Sequence, residues 1–139
     1  MKILIMGLPN SGKTTIAKEL CKRIKAIHLN ADEMRNQVWP ELKFTYEDRL
    51  IQAHRMGALS NILNDQGYTV VADFICPTSE TRLLFGQSFV IWVDRIEKSW
   101  YEDTNELFEK PISCDIHIQN GLSVEEQINI IIKKLKEVK

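Results

Sequence analysis

The chain has 139 residues, 44% of them apolar and 27% charged, and a formal net charge of −1. That length fits one domain spanning 1–139, able to bury roughly two thirds of its unfolded surface without staples. The near-neutral balance gives no broad electrostatic footprint for a nucleic-acid backbone or an anionic membrane, so small molecules are the expected partners. Cys21, Cys76 and Cys114 are odd in number and lack CxxC grouping, which argues for reduced thiols and a cytoplasmic location rather than a disulfide frame or zinc site. No apolar run approaches membrane-spanning length, and the one at residues 3–6 is too short for a secretory leader.

The first element is a continuous apolar run at residues 2–6, the pattern of a strand buried on both faces of a parallel sheet. Directly after it, Gly7-Leu8-Pro9-Asn10-Ser11-Gly12-Lys13-Thr14 matches G-x-x-x-x-G-K-[ST] between a strand and a helix-like run, the context that makes the motif specific. Its glycines let backbone N–H groups curl around an anion, and the dipole of the next helix adds positive potential there. The motif predicts ATP binding by residues 7–15, Thr15 included, with Lys13 on the β- and γ-phosphates and the Thr14 hydroxyl on Mg²⁺.

Ile16, Ala17, Leu20, Cys21 and Ile24 recur at helical spacing, so a helix over residues 13–25 lies on that sheet. A short strand follows at 26–29, then a helix over 32–39 that Pro40 stops. Thr45 with Asp48 resembles a capping box, and Leu50, Ala53, Met56, Leu59 and Leu63 continue a long helix closed by Gly67. Residues 68–75 and 89–93 read as strands, with room for a short helix after Pro77. A weaker strand spans 112–118. Ser123-x-x-Glu126 is a full capping box, and Val124, Ile128, Ile131, Ile132 and Leu135 form the apolar stripe of a last helix. Strands alternating with helices predict an α/β fold whose sheet is covered on both sides.

In such sheets ligands collect at the carboxyl ends of the strands. Asn30 and Asp32 follow the second strand, Asp73 ends the third hydrophobic run, and Asp94 and Arg95 follow the fourth. Phosphoryl transfer needs a phosphate cradle, a cation, a positioned hydroxyl and a carboxylate. Lys13, Asp32 and Asp73 are therefore the catalytic candidates. Asp32 equally suits a plain N-cap, and Asp73 a polar strand end, so which aspartate orients the acceptor stays open. Arg35, Arg49, Arg55 and Arg82 belong to segments that enter or leave strand ends, where a planar fork suits phosphate or sulfate oxygens. The single histidines His28, His54 and His117 read as structural, and Glu102-Asp103 as a solvated loop.

Together these motifs resemble the adenylyl-sulfate kinase family, which phosphorylates the ribose 3'-hydroxyl of adenosine 5'-phosphosulfate with ATP. The family's G-L-S-G-x-G-K-[ST] loop is similar to residues 7–14, and its L-D-G-D-N-[VI]-R segment to Leu29-Asn30-Ala31-Asp32-Glu33-Met34-Arg35. Its F-[ST]-x-E-D-R-x-x-N-I-R-R stretch is similar to residues 44–49, with Gln52 at the asparagine position and Arg55 at the last arginine. Its A-F-I-S-P resembles residues 73–77, and its L-S-V-E-E residues 122–126. The resemblance implies a three-layer α/β/α P-loop fold with a five-stranded, mostly parallel sheet, ATP and Mg²⁺ as cofactors, and a homodimer. It also implies that Asp32 aligns and deprotonates the hydroxyl near the metal, alongside Thr14. Arg35 and Arg49 would hold the phosphosulfate, Phe44 would stack on adenine, Gln52 would add a polar contact, and Phe74 and Ile75 would line the pocket.

The chain departs from the family in three places. Asn30 replaces the first aspartate of the D-G-D element, Asp73 replaces a small residue, and the mobile lid is reduced to residues 101–111, without arginine and with one lysine. Two further readings stay open on the residues alone. One is a kinase of the same fold acting on another alcohol, such as a nucleoside, a modified base or a polynucleotide end. The other is a nucleotide-binding regulator without turnover.

Overall fold

The structure, a computed structural model, describes residues 1–138. The order of elements is β1 (Lys2–Met6), α1 (Lys13–Ile24), β2 (Ile27–Asn30), α2 (Ala31–Gln37), α3 (Tyr46–Asp65), β3 (Val70–Asp73), α4 (Ser79–Phe85), β4 (Phe89–Val93), α5 (Glu102–Leu107), β5 (Ile116–Ile118) and α6 (Val124–Glu137). The five strands form one sheet in the order β2-β3-β1-β4-β5, and every pairing is parallel.

Successive residues of a strand face opposite sides of a sheet, and β1 uses both sides for core. Ile3 and Ile5 pack with Ile16 and Leu20 of α1 and with Ile128 and Ile131 of α6. Leu4 and Met6 pack on the other side with Met56 of α3 and Phe85 of α4. Three layers result, as the α/β P-loop arrangement requires. The chain winds one way from β1 to β3 and β2, and the other way to β4 and β5. This reversal opens a crevice at the carboxyl end of β1, where residue 7 begins the phosphate loop.

The side carrying α3 and α4 is drawn tight at one point. A Cβ on Gly57 would stand 2.8 Å from the carbonyl carbon of Phe85, so only glycine lets α3 approach α4 this closely. The ammonium of Lys2 ties the same corner, donating to the Phe85 carbonyl at 2.6 Å and to Asn61 Oδ1 at 3.0 Å.

Several expected boundaries shift. The third strand covers only Val70–Asp73 rather than 68–75, because its neighbour β1 ends its pairing register at Ile5 opposite Asp73 and Tyr68 is half exposed. The fifth covers Ile116–Ile118 rather than 112–118, and Ile112 is fully exposed. Thr45 caps α3 through the Asp48 N–H, yet the Asp48 carboxylate accepts from the Lys43 N–H instead, so this is half a capping box. A full box closes α4, between Thr78 and Thr81, and the box at Ser123 and Glu126 forms as expected. Glu102-Asp103, expected to be loop, is the first turn of α5. The three thiols are free, and burial pushes Cys76 up to about 12 and, with the Asp73 charge as a lesser cause, Cys21 to about 11. Among the described residues no helix is long and apolar enough to cross a membrane.

Candidate active site

The phosphate loop is built on backbone that most side chains refuse. Gly7 and Gly12 have φ of 151° and 96°, and Asn10 is left-handed at 64°. A Cβ on Gly7 would collide with the Val93 carbonyl oxygen, so the loop must start with glycine to leave β1 beside β4. The Lys13 ammonium folds back to donate to the Leu8 carbonyl at 2.8 Å. Burial lowers its pKa to about 8, against the charges of Asp73 and Asp32, which raise it. Ser11 Oγ is buried without a partner.

Beside the loop lies a cleft of about 970 Å³ over the ends of β1, β3 and β2. Of the expected site residues, Pro9, Asn10, Gly12, Lys13, Thr14, Thr15, Asp32, Arg35, Phe44, Arg49, Gln52, Asp73, Phe74 and Ile75 line it. Gly7 and Ser11 do not line it, and Leu8 faces a second cleft of about 720 Å³ over the ends of β4 and β5. Arg55 and Arg82 are not in the first cleft. Arg55 pairs with Glu41 at 2.7 Å, and Arg82 donates to the Cys76 and Pro77 carbonyls.

The two aspartates occupy different surroundings. Asp73 is 1% exposed, and its Oδ2 meets His28 Nε2 and Asn30 Nδ2, each at 3.0 Å. Burial pushes its carboxyl up, but the His28 and Asn30 hydrogen bonds and the His28 and Lys13 charges outweigh it and hold the pKa below the usual value. Asn30 also caps α2 through Glu33 N–H and reaches Thr14 Oγ1 at 3.4 Å. One amide thus spans the carboxylate and the hydroxyl. Asp32, the second residue of α2, has a side chain 80% exposed and accepts from Arg35 Nη1 at 2.7 Å.

Across the cleft Arg35 also donates to the side-chain amide oxygen Oε1 of Gln52, and Gln52 Nε2 donates to the Ala31 carbonyl at 2.9 Å. The Phe44 ring lies 4.3 Å from the Arg35 guanidinium and 5.9 Å from that of Arg49. Arg49 is held by the Phe44 carbonyl and by Thr104 of α5. Burial, and then the adjacent Arg35 charge, lower its pKa below the ordinary arginine value. Arg35 keeps Asp32 as its ion-pair partner, whereas Arg49 takes part in none of the ion pairs among the described residues.

Sequence reasoning missed the wall contributed by Trp100, Tyr101 and Thr104, which line the cleft from the short segment after β4. The adjacent Trp-Tyr pair ahead of a hydrophilic stretch was the available signal. His28, read as structural, is the hydrogen-bond partner of Asp73. Among the described residues no group of three or more His, Cys, Asp or Glu side chains gathers as a metal cage.

The family model for adenylylsulphate kinase matches residues 1–125. The chain belongs to the adenylylsulphate kinase family. It is 33% identical over 133 residues to an adenylyl-sulfate kinase of Thermodesulfovibrio yellowstonii, the match covering 87% of this chain and 66% of that protein. It is 30% identical over 129 residues to the bifunctional enzyme NodQ of Rhizobium meliloti, covering 84% of this chain but 20% of that protein. The chain therefore spans only part of these curated relatives. The fold is similar to that of the Mycobacterium tuberculosis APS kinase CysC in complex with AMPPNP and APS, with a TM-score of 0.85 at 20% identity over 97% of this chain and 96% of that one. In this adenylylsulphate kinase family member the sheet has five parallel strands, and α5 lies in the interval between β4 and β5.

Proposed function

We propose that the chain transfers the γ-phosphoryl group of ATP to the 3'-hydroxyl of adenosine 5'-phosphosulfate, yielding 3'-phosphoadenosine 5'-phosphosulfate and ADP. The observation that carries this reading is the pair of guanidinium groups, Arg35 and Arg49, flanking an exposed aromatic ring in the cleft that the phosphate loop shares. Phosphate and sulfate oxygens satisfy such forks, and adenine stacks on the Phe44 face. Stacking requires Phe44 to keep one face free, which its 61% exposure allows.

The donor phosphates lie in the loop, with Lys13 leaving the Leu8 carbonyl to meet them. The second cleft, reached past Leu8, takes the adenosine of ATP. Asp32 receives the proton of the acceptor hydroxyl, because it is accessible and borders the cleft. Its pairing with Arg35 ties the base to the group that grips the substrate. As the new ribose O–P bond forms, the bond between the γ-phosphorus and the bridging oxygen breaks and ADP leaves with the electron pair. Asp73, nearly out of reach of solvent, does not contact the acceptor; with Asn30 it orients Thr14.

The donor set fits Mg²⁺. Thr14 and the Asp73 carboxylate, both within reach of the Asn30 amide, would hold it in place of the Thr14 and Asp32 pair that the resemblance implies, and they suit an ion that keeps most of its ligands as phosphate oxygens and water. When bound with ATP, that ion screens the charge on the β- and γ-phosphates.

Incubation with γ-labelled ATP, Mg²⁺ and adenosine 5'-phosphosulfate tests the reading. Label in the 3'-phosphorylated product is expected, with Asp32→Asn lowering kcat about a hundredfold. Label that never leaves ATP, or passes equally well to nucleosides without a phosphosulfate, refutes it.

A further inference from the structure

The second cleft holds a charge that the site described so far does not use. Arg95 is the second residue past β4, and its guanidinium turns back over the phosphate loop: a Cβ on Gly12 would stand 2.8 Å from Arg95 Nη1. Arg95 takes part in none of the ion pairs among the described residues. The neighbouring carboxylate of Asp94 is already engaged by His117 at 2.8 Å. Arg95 Nε is buried and has no hydrogen-bond partner. A buried guanidinium nitrogen with no acceptor, next to a nest of inward-pointing backbone N–H groups, lacks only an anion.

The rest of the segment makes this cation more telling. Between residues 96 and 111 the only other positive side chains are Lys98 and Lys110, while α5 brings Glu102, Asp103 and Glu106. A polyphosphate entering the loop therefore meets acidic groups from α5 and positive charge from Lys13 and Arg95.

We infer that Arg95 binds the phosphate chain of the nucleotide held in the loop, acting as its second cation beside Lys13. The guanidinium fork bridges two phosphate oxygens in a way an ammonium cannot. The inference rests on the reading of the loop as an ATP site and names a further residue of that site.

Calorimetric titration of the wild type, Arg95→Gln and Arg95→Lys with Mg-ATP, and with Mg-tripolyphosphate, tests it. Tripolyphosphate carries the charge of ATP without the base. Arg95→Gln is expected to weaken both ligands by the same factor, about tenfold or more, and Arg95→Lys to recover part of the loss. Raising the salt concentration is expected to shrink the difference between wild type and Arg95→Gln. If Arg95→Gln weakens ATP but leaves tripolyphosphate unchanged, the side chain stacks on the base and the inference is overturned. If wild type and Arg95→Gln bind both ligands equally, Arg95 has no such role while the kinase reading stands. Should the wild type bind neither ligand, both fall together. Melting temperatures of the unliganded variants verify folding, and if Arg95→Gln does not fold, Arg95→Lys carries the comparison, with equal affinity for both ligands overturning the inference.

Discussion

Replacing Lys13 by Met should make the empty protein more stable while destroying its chemistry. Burial lowers the Lys13 pKa from 10.5 to about 8, and at about 1.4 kcal/mol per unit the charged form costs the fold about 3 kcal/mol. Methionine keeps the apolar stem and removes the charge, but it also strips the Leu8 carbonyl of the hydrogen bond it receives from Lys13, a loss of about 1 kcal/mol. The balance is a gain of about 2 kcal/mol at pH 7, or about 6 °C in Tm for a chain of this size. The pH dependence fixes the cause. Below pH 8 the lysine is charged in folded and unfolded chains alike, so the wild type carries the full cost. Between pH 8 and 10.5 the folded protein gives up the proton while the unfolded chain keeps it, so wild-type stability rises with pH and the advantage of Lys13→Met disappears. Urea or thermal unfolding of both proteins from pH 6 to 10.5, read by circular dichroism, measures this directly. A Lys13→Met protein that melts below the wild type at pH 7, or a difference indifferent to pH, would refute the reasoning.

Asn30→Asp puts a second carboxylate against Asp73 in place of the amide donor, and should cost about 2 kcal/mol above pH 6 in denaturant unfolding. Combining it with Asp73→Ala leaves a single carboxylate near Thr14, so the double variant is expected to show higher kcat than Asp73→Ala alone. Gly57→Ala forces α3 away from Phe85 and should destabilise by about 2 kcal/mol or more, visible as a lower urea midpoint, with both substrate KM values unchanged. Phe44→Ala should raise KM for adenosine 5'-phosphosulfate about tenfold and leave KM for ATP alone, as expected if the ring stacks on the acceptor base.

The legible parts of this molecule were those coded locally. The phosphate loop could be read because its spacing and the flanking strand and helix lie within a few residues of one another. β1 and β4 were legible because unbroken apolar runs signal burial on both faces. What failed was information held by partners distant in sequence. Tyr68 and Ile112 have the composition of strand residues, but pairing stops where neighbouring strands stop. Arg55 and Arg82 follow strand ends as Arg35 and Arg49 do, yet position along the chain does not tell which way a side chain turns. The bond between His28 and Asp73 depends on β2 lying beside β3, a register that neither segment carries alone. The α4 capping box escaped notice because Thr81 stands where Glu or Gln is usual.

Three tryptophans punctuate the chain, and their placement makes the molecule its own reporter. Trp39 and Trp92 are 7% exposed, whereas Trp100 is 93% exposed on the rim of the larger cleft. Filling that cleft changes the medium around a single indole while the other two emit against a constant background. Occupancy of the acceptor side can thus be followed by intrinsic fluorescence, with no dye attached and no residue altered.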